Sequence, residues 1–193
     1  MTKQDVRDLA RRWGVSAWNR PAMACLASRF PYGTPVTSEG LAMVDGAESF
    51  LRGRGFEQLR VRHHTDLARV ELPADELDRL LSDPQIRGDV ASVLSELGYQ
   101  SVTADLRGFR SGSLNEVLKK KAAHGDAAKA ALADLDLGEV ETVELHQVLV
   151  LRLTPDAVTS LADSDRRAQV VEQFESRGAR YVAVDLVKQL PSA

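Results

Sequence analysis

With 193 residues and a formal net charge of −3, the chain can bury one substantial hydrophobic core or two small ones, but it lacks the basic excess of a nucleic-acid-binding protein. Its amino terminus is charged, and no segment approaches the apolar run that a membrane span needs, so we predict no membrane contact. The single cysteine fits a reducing compartment, and we therefore predict a cytoplasmic protein.

The amino-terminal segment predicts an amphipathic helix that Thr2 caps and Gly14 stops. Val6, Leu9 and Trp13 recur at helical spacing and form one apolar stripe. Such a stripe needs a partner, so we expect it to favour self-association into a homo-oligomer or the capture of another domain.

A loop with three prolines over residues 18–37 carries the only cysteine of the chain, Cys25. A second helix is predicted over 38–52, with Ser38 as its cap. Two strands, two helices and a third strand follow, with a turn over 63–66 between the first two strands. Their predicted ranges are 59–61, 67–72, 74–81, 85–97 and 99–106.

The chain then nearly repeats itself, since residues 170–186 match 90–106 at an offset of 80. A Lys- and Ala-rich helix over 115–135 takes the place of the first helix of the unit. The prediction is an α+β fold with two similar α-β-β-α-β units, each with helices on one face of a small mixed sheet. The predicted regions are 1–37 (first helix and cysteine loop), 38–118 (catalytic and substrate domain) and 119–193 (linker helix and second repeat). The candidate site residues are not duplicated, so the second unit is expected to extend the sheet or form an interface.

A lone cysteine restricts the chemistry that this chain can perform. Cys25 has no partner for an intramolecular disulfide, and one thiolate is too few for a zinc or iron–sulfur site. It is therefore a nucleophile, a sulfur donor or an inert buried thiol. Arg29 lies four residues on, and a guanidinium near the sulfur would favour the thiolate.

Several motifs in unbroken order over residues 2–118 carry a resemblance to a known family. They are the loop 21–34, the segments 60–64 (RVRHH) and 66–71 (DLARVE), and the segment 105–115 (DLRGFRSGSLN). Together they resemble the carboxy-terminal half of the ATP-dependent sacrificial sulfur transferases, the LarE family of nickel-pincer cofactor synthesis. Members of that family begin with a PP-loop ATP-pyrophosphatase domain whose Ser-Gly-Gly-x-Asp-Ser loop does not occur here. The first helix resembles the last helix of that domain.

The resemblance implies a reaction in three steps. ATP adenylates the carboxylate of a nicotinate-derived mononucleotide, a cysteine thiolate displaces AMP, and the carbon–sulfur bond of the cysteine then breaks to leave dehydroalanine. Cys25 matches the donor position. Relatives that restore sulfur through an iron–sulfur cluster carry additional cysteines, so we expect no cluster and a single turnover. ATP and Mg²⁺ would be bound by a PP-loop domain or partner protein.

The resemblance also assigns residues to the phosphorylated substrate. Ser28 and Arg29 match the phosphate-facing residues after the cysteine. Arg60 and Arg62 alternate on a strand, so both side chains lie on one face and can converge on one anion, unless that face is simply solvated.

Two further arginines belong to the same expected substrate site. Arg107 and Arg110 flank Gly108 in a turn whose backbone N–H groups can cradle phosphate. The competing interpretation is an ordinary exposed turn.

Acidic and histidine side chains are the candidate metal ligands of this sequence. Glu48 and Glu71, with Asp66 as a third candidate, match a divalent-cation site of the family, although scattered carboxylates are usually solvated. His63 and His64 are neighbours on a strand and point to opposite faces, which suits one functional and one structural role better than a shared metal.

Three interpretations of the whole chain stay open. The first is the cysteine-bearing substrate domain of a sulfur transferase that works with a PP-loop partner. The second is a catalytically inactive binding or oligomerisation module derived from that family. The third is a misplaced start codon, with the missing domain encoded upstream.

Overall fold

A computed structural model describes residues 1–16, 18–19, 24–110 and 137–191. The elements in chain order are α1 (Lys3–Arg12), α2 (Ser38–Gly53), β1 (Arg60–His64), β2 (Leu67–Glu71), α3 (Ala74–Ser82), α4 (Pro84–Glu96), β3 (Ser101–Asp105), β4 (Val140–Leu145), β5 (Val148–Leu153), α5 (Pro155–Ser160), α6 (Ser164–Ser176) and β6 (Tyr181–Asp185). The predicted α+β class is confirmed. The helix predicted over 115–135 lies outside the described residues. No described helix is long and apolar enough to cross a membrane.

Two local predictions differ from the structure. Thr37, rather than Ser38, caps α2, because its side chain accepts the backbone N–H of Gly40 at 3.0 Å. The pair His63 and His64 lies inside β1 rather than in a turn. The first hairpin closes through only two residues, and Thr65 takes a positive φ of 61° to make that tight turn.

Six strands form one sheet in the order β1-β2-β3-β6-β5-β4. Within each half, a hairpin is antiparallel and the returning strand pairs in parallel, with β2 beside β3 and β5 beside β6. The two halves join through antiparallel pairing of β3 with β6, centred on Ala104 and Val184. The arrangement has an approximate two-fold axis at that junction.

The helices cover one face of the sheet. Val70, Val102 and Val184 belong to the large core that the helices share. On the opposite face, Leu67 of β2 belongs to a second, smaller apolar cluster with residues of β5 and β6, among them Val148. Strands β2, β3 and β6 are buried at every position, as is typical of strands inside a sheet that is covered on both faces.

Candidate functional site

Cys25 begins a tight turn beside β1. A 3₁₀ helix covers Leu26–Arg29, and the Cys25 carbonyl accepts the backbone N–H of Ser28 at 2.9 Å. Cys25 is exposed, whereas Arg29 at the end of the turn is only 4% exposed. The thiol is therefore not buried, contrary to the burial that the inert-thiol alternative assumes.

The guanidinium of Arg29 is directed inward and holds the turn together. It forms a two-pronged ion pair with Glu48 of α2, with Nε–Oε1 at 2.7 Å and Nη2–Oε2 at 3.1 Å. Its Nη1 donates to the Ala24 carbonyl at 3.1 Å and to Ser28 Oγ at 3.0 Å. These hydrogen bonds fix the backbone on both sides of Cys25.

Glu48 connects this turn to the edge of the sheet. Its side chain is fully buried, and Oε1 also accepts the backbone N–H of Val61 in β1 at 3.2 Å. Arg52, one helical turn further along α2, donates to Oε2 at 2.6 Å. A charge buried this completely is tolerated only because every partner is present.

A second arginine holds the turn from the sheet. Arg62 Nη1 donates to the Ser28 carbonyl at 2.8 Å, and its Nε donates to Glu71 at 3.0 Å. Glu71 in turn pairs with Arg69 at 3.0 Å, and Arg69 pairs with Asp105. Burial lowers the pKa of Arg62, an effect that the nearby Glu71 carboxylate opposes. The result is a buried ladder of alternating charges across β1, β2 and β3.

Arg60 lies at the start of β1, beside the loop that follows β3. Its guanidinium stands 4.7 Å from the centroid of the Phe109 ring, and it makes no hydrogen bond to the described residues. Phe109 is held by its backbone N–H, which donates to the Leu72 carbonyl at 2.7 Å. Arg110, which ends the described part of this loop, is half-buried. The structure thus brings Arg60 and the 107–110 loop together.

Arg107 points away from Arg60 and toward the second unit. It forms an ion pair with Glu175 of α6. Both side chains line a cavity of about 620 Å³ between helices of the two units, which Leu77 and Val171 also line. The structure does not direct Arg107 to the substrate site predicted from the sequence, because its charge partner lies in the second repeat.

His63 and His64 face opposite sides of β1. His63 packs on the helix side, 4.7 Å from the Phe30 ring centroid, with Nδ1 at 3.1 Å from the Tyr99 hydroxyl. Burial raises the pKa of Tyr99, so its hydroxyl stays protonated and can donate to Nδ1. His64 lies on the other face, edge-on to Tyr181. Neither ring reaches the Cys25 turn through a described hydrogen bond.

Because of these two histidines, we expect the folded protein to lose stability in weak acid. Burial lowers the pKa of His63, and burial together with the charge of Arg69 lowers the pKa of His64 far more. Below about pH 6.5 these histidines take up protons in the unfolded chain but stay neutral in the folded chain. The free energy of unfolding should therefore fall by up to about 1.4 kcal/mol per pH unit for each histidine. Urea denaturation between pH 7.5 and pH 5 measures this slope. His64→Phe should flatten it, and an unchanged slope in that variant would contradict the assignment.

The carboxylates predicted as metal ligands form ion pairs with arginines. Glu48 is bound by Arg29 and Arg52, and Glu71 is bound by Arg62 and Arg69. A cation beside either carboxylate would stand against guanidinium groups, so this donor set does not fit a divalent ion. The described ranges also contain no cluster of three or more His, Cys, Asp or Glu side chains suited to a metal.

Three residues of this network were missed from the sequence. Arg69 and Asp105 complete the buried charge ladder, and Arg52 completes the Glu48 cluster. Arg69 sits two residues before Glu71, so the period of a strand places both on one face with opposite charges. That spacing predicts the Arg69–Glu71 pair from the sequence. No feature of the sequence indicates a charge partner for Asp105 beyond its place at the end of a buried strand.

Comparison with known proteins identifies three relatives, while no protein-family model matches the chain. An uncharacterized protein of Synechocystis sp. is 41% identical over 120 residues, which is 62% of this chain and 44% of that protein. The pyridinium-3,5-bisthiocarboxylic acid mononucleotide synthase of Lactiplantibacillus plantarum is 44% identical over 119 residues, 61% of this chain and 42% of the synthase. An uncharacterized protein of Methanocaldococcus jannaschii is 25% identical over 109 residues, 56% of this chain and 41% of that protein.

The chain spans less than half the length of the curated relatives that it matches. The identity to the synthase is nevertheless high over more than one hundred residues. Over this matched segment, the chain is similar to a synthase of pyridinium-3,5-bisthiocarboxylic acid mononucleotide.

Proposed function

We propose that Cys25 donates its sulfur to the adenylated carboxylate of a pyridinium mononucleotide, with a PP-loop domain or partner supplying ATP and Mg²⁺ for adenylation. The thiolate attacks the acyl carbon, and the bond to the phosphate oxygen breaks, so AMP leaves with the electron pair. A base then removes the Cα proton. The electrons of the Cα–H bond form the Cα–Cβ double bond, and the Cβ–S bond breaks to release a thiocarboxylate and leave dehydroalanine.

The observation that carries this proposal is the combination of an exposed thiol with a rigid backbone. Arg29 and Arg62 hold carbonyl groups on both sides of Cys25, so the backbone that carries the exposed thiol is held in place. A defined position lowers the entropic cost of attack on a bound acyl group. The 44% identity to a synthase of pyridinium-3,5-bisthiocarboxylic acid mononucleotide supports the same substrate class.

Arg60 is the arginine best placed to bind the substrate phosphate. Arg29 and Arg62 use their donors to hold the turn, whereas Arg60 is half-buried and makes no hydrogen bond to the described residues. A phosphate beside it would gain a charge-assisted hydrogen bond. We expect Arg60→Gln to weaken substrate binding without unfolding the protein.

Intact-protein mass spectrometry tests the proposal directly. The full chain is incubated with the pyridinium mononucleotide and its chemically prepared acyl adenylate, which removes the need for a PP-loop partner. We expect the protein to lose one hydrogen sulfide, about 34 Da, as cysteine becomes dehydroalanine. Cys25→Ser should abolish this loss. If the substrate gains sulfur while the mass of the protein stays unchanged, the sulfur comes from elsewhere and the proposal is wrong.

One observation favours the second candidate, a binding or assembly module. Helix α1 is well capped by Thr2, yet it buries none of its residues, and Val6 and Trp13 are 51% and 78% exposed. Such a helix is a candidate contact for a PP-loop domain or for a second copy of the chain.

Polar substitution of the α1 stripe tests this candidate. Leu9→Lys combined with Trp13→Lys should convert an oligomer to a monomer in analytical ultracentrifugation, because the contact would lose its apolar area. Gln4→Lys with Asp8→Lys, on polar positions of the same helix, is the matched control. An unchanged sedimentation coefficient in the first variant would count against an α1 interface.

A further inference from the structure

A second, smaller pocket lies where the hairpin turns of the two units meet. It has a volume of about 190 Å³ and is bounded by the loop after the Cys25 turn, the β1–β2 turn, the β4–β5 turn and the start of β6. Its polar lining includes Thr34, His64, Thr65, Gln147 and Arg180. His64 ends β1 and Arg60 begins it, about 13 Å apart along the strand, so this pocket is separate from the Arg60 site.

The charge of the lining favours an anion. Arg180 contributes a permanent positive charge, and no lining residue is an aspartate or a glutamate. The nearest carboxylate along the chain, Asp66, is already bound by His146 Nε2 at 2.6 Å. An anion in the pocket would therefore meet a cation and neutral polar groups, and the one carboxylate beside the lining is already paired with His146.

Three side-chain nitrogens of His64 and Arg180 have no hydrogen-bond partner among the described residues. His64 is 6% exposed, and its Nε2 is buried without a hydrogen bond. Arg180 uses Nη1 to reach Gln147 at 2.9 Å, but its Nε and Nη2 are buried and unpaired. Leaving a buried donor unsatisfied costs about 1–3 kcal/mol. One oxyanion could accept from both residues and remove that cost.

Residues with strained backbone conformations lie around the same pocket. Thr65, His146 and Gln147 have positive φ values of 61°, 49° and 66°, and they are the non-glycine residues in this region of φ within the described ranges. All three line the pocket. A two-residue hairpin turn normally takes Asn-Gly at the positions that His146 and Gln147 occupy. Strain of this kind persists where the surrounding structure, or a ligand, compensates for it.

We infer that this pocket binds a free oxyanion of the size of inorganic phosphate, held by Arg180 and His64 between the two hairpin turns. Its volume is well below the roughly 300–1,000 Å³ of pockets that enclose drug-sized ligands, so a whole nucleotide does not fit. The anion would tie the loop that follows Cys25 to the second unit.

The test is titration of the full chain with sodium phosphate at constant ionic strength, followed by thermal unfolding and by isothermal calorimetry. We expect saturable binding and a rise in the unfolding temperature. Arg180→Gln should weaken binding at least tenfold. Arg177→Gln, an exposed arginine near Arg180 that bonds only to Gln173 among the described residues, is the matched control and should bind as the wild type does.

Further arms of the experiment separate this pocket from the Arg60 site. Arg60→Gln should leave phosphate binding intact, and AMP should bind at least tenfold more weakly than phosphate. The inference is overturned if phosphate produces no saturable effect, if Arg180→Gln binds phosphate normally, or if Arg60→Gln alone abolishes binding. AMP binding of equal strength through Arg180 would overturn the assignment to a free anion. His64→Gln, which keeps a neutral donor, should retain most of the affinity, and a loss as large as that of Arg180→Gln would contradict the roles assigned here.

Discussion

Replacing Glu48 with alanine should lower the free energy of unfolding by about 3–5 kcal/mol, the range for breaking a buried ion pair from one side. The substitution leaves the guanidinium of Arg29, which is 4% exposed, without its carboxylate, and it removes the acceptor of the Val61 N–H. Urea denaturation measures the change. Glu39→Ala, at an exposed position in the first turn of the same helix, should cost far less than Glu48→Ala. Equal effects of the two substitutions would contradict a structural role for Glu48.

A double substitution separates the stability of this pair from its effect on the Cys25 turn. Arg29→Met with Glu48→Leu replaces two buried charges by apolar side chains of similar volume, so the part of the stability that was lost with the ion pair should return, whereas the N–H of Val61 stays without its acceptor. The hydrogen bonds from Arg29 to the Ala24 carbonyl and Ser28 Oγ do not return. We therefore expect a folded protein whose single-turnover loss of sulfur is at least tenfold slower. A wild-type rate in the double variant would mean that the arginine is dispensable for positioning Cys25.

Gly108→Ala should destabilise the 107–110 loop strongly. A Cβ at this position would stand 2.5 Å from the Leu72 carbonyl oxygen, and Gly108 also has a positive φ of 70°. The backbone conformation alone costs alanine about 1–2 kcal/mol. The clash adds about 1–3 kcal/mol, because a backbone carbonyl in a strand connection cannot move aside as a flexible side chain can.

Gly138→Ala is the matched control for that substitution. Gly138 has nearly the same φ, 69°, but no atom lies within 4 Å of the position of its Cβ. Denaturant unfolding of both variants isolates the steric cost, which we expect to be at least about 1 kcal/mol. Gly108→Ala should also displace Phe109 from Arg60 and weaken substrate binding. Equal stabilities of the two variants would show that the Leu72 carbonyl moves freely.

The local elements were predictable because their signals are local. Helical spacing of Val6, Leu9 and Trp13 gave α1, and the structure caps that helix at Thr2 as expected. The errors were equally local. Thr37 and Ser38 are both good caps, and in the structure the Thr37 side chain accepts the backbone N–H of Gly40. The His63-His64 pair was assigned to a turn because the strand signal of RVRHH is weak in isolation.

The candidate site was only partly predictable. Cys25 in a special loop and Arg60 on a strand follow from the sequence, and the structure places one on the surface and the other beside the 107–110 loop. The direction of Arg29 could not be foreseen, since its partner Glu48 lies 19 residues away on another element. Arg107 pairs across 68 residues with Glu175, a contact that exists only because the two units share one sheet.

By itself, the sequence determined the α+β class, the internal repeat and the place of the cysteine in the chain, because period, composition and self-similarity are properties of short segments. The tertiary structure alone decided that β3 pairs antiparallel with β6, that Leu67 and Val148 share one apolar cluster on the face opposite the helices, and that the predicted phosphate ligands Arg29 and Arg62 hold the turn of Cys25. These outcomes depend on which charges and apolar faces meet after the chain has folded. Many acids and arginines could pair equally well in the unfolded chain, and only the packed sheet selects among them.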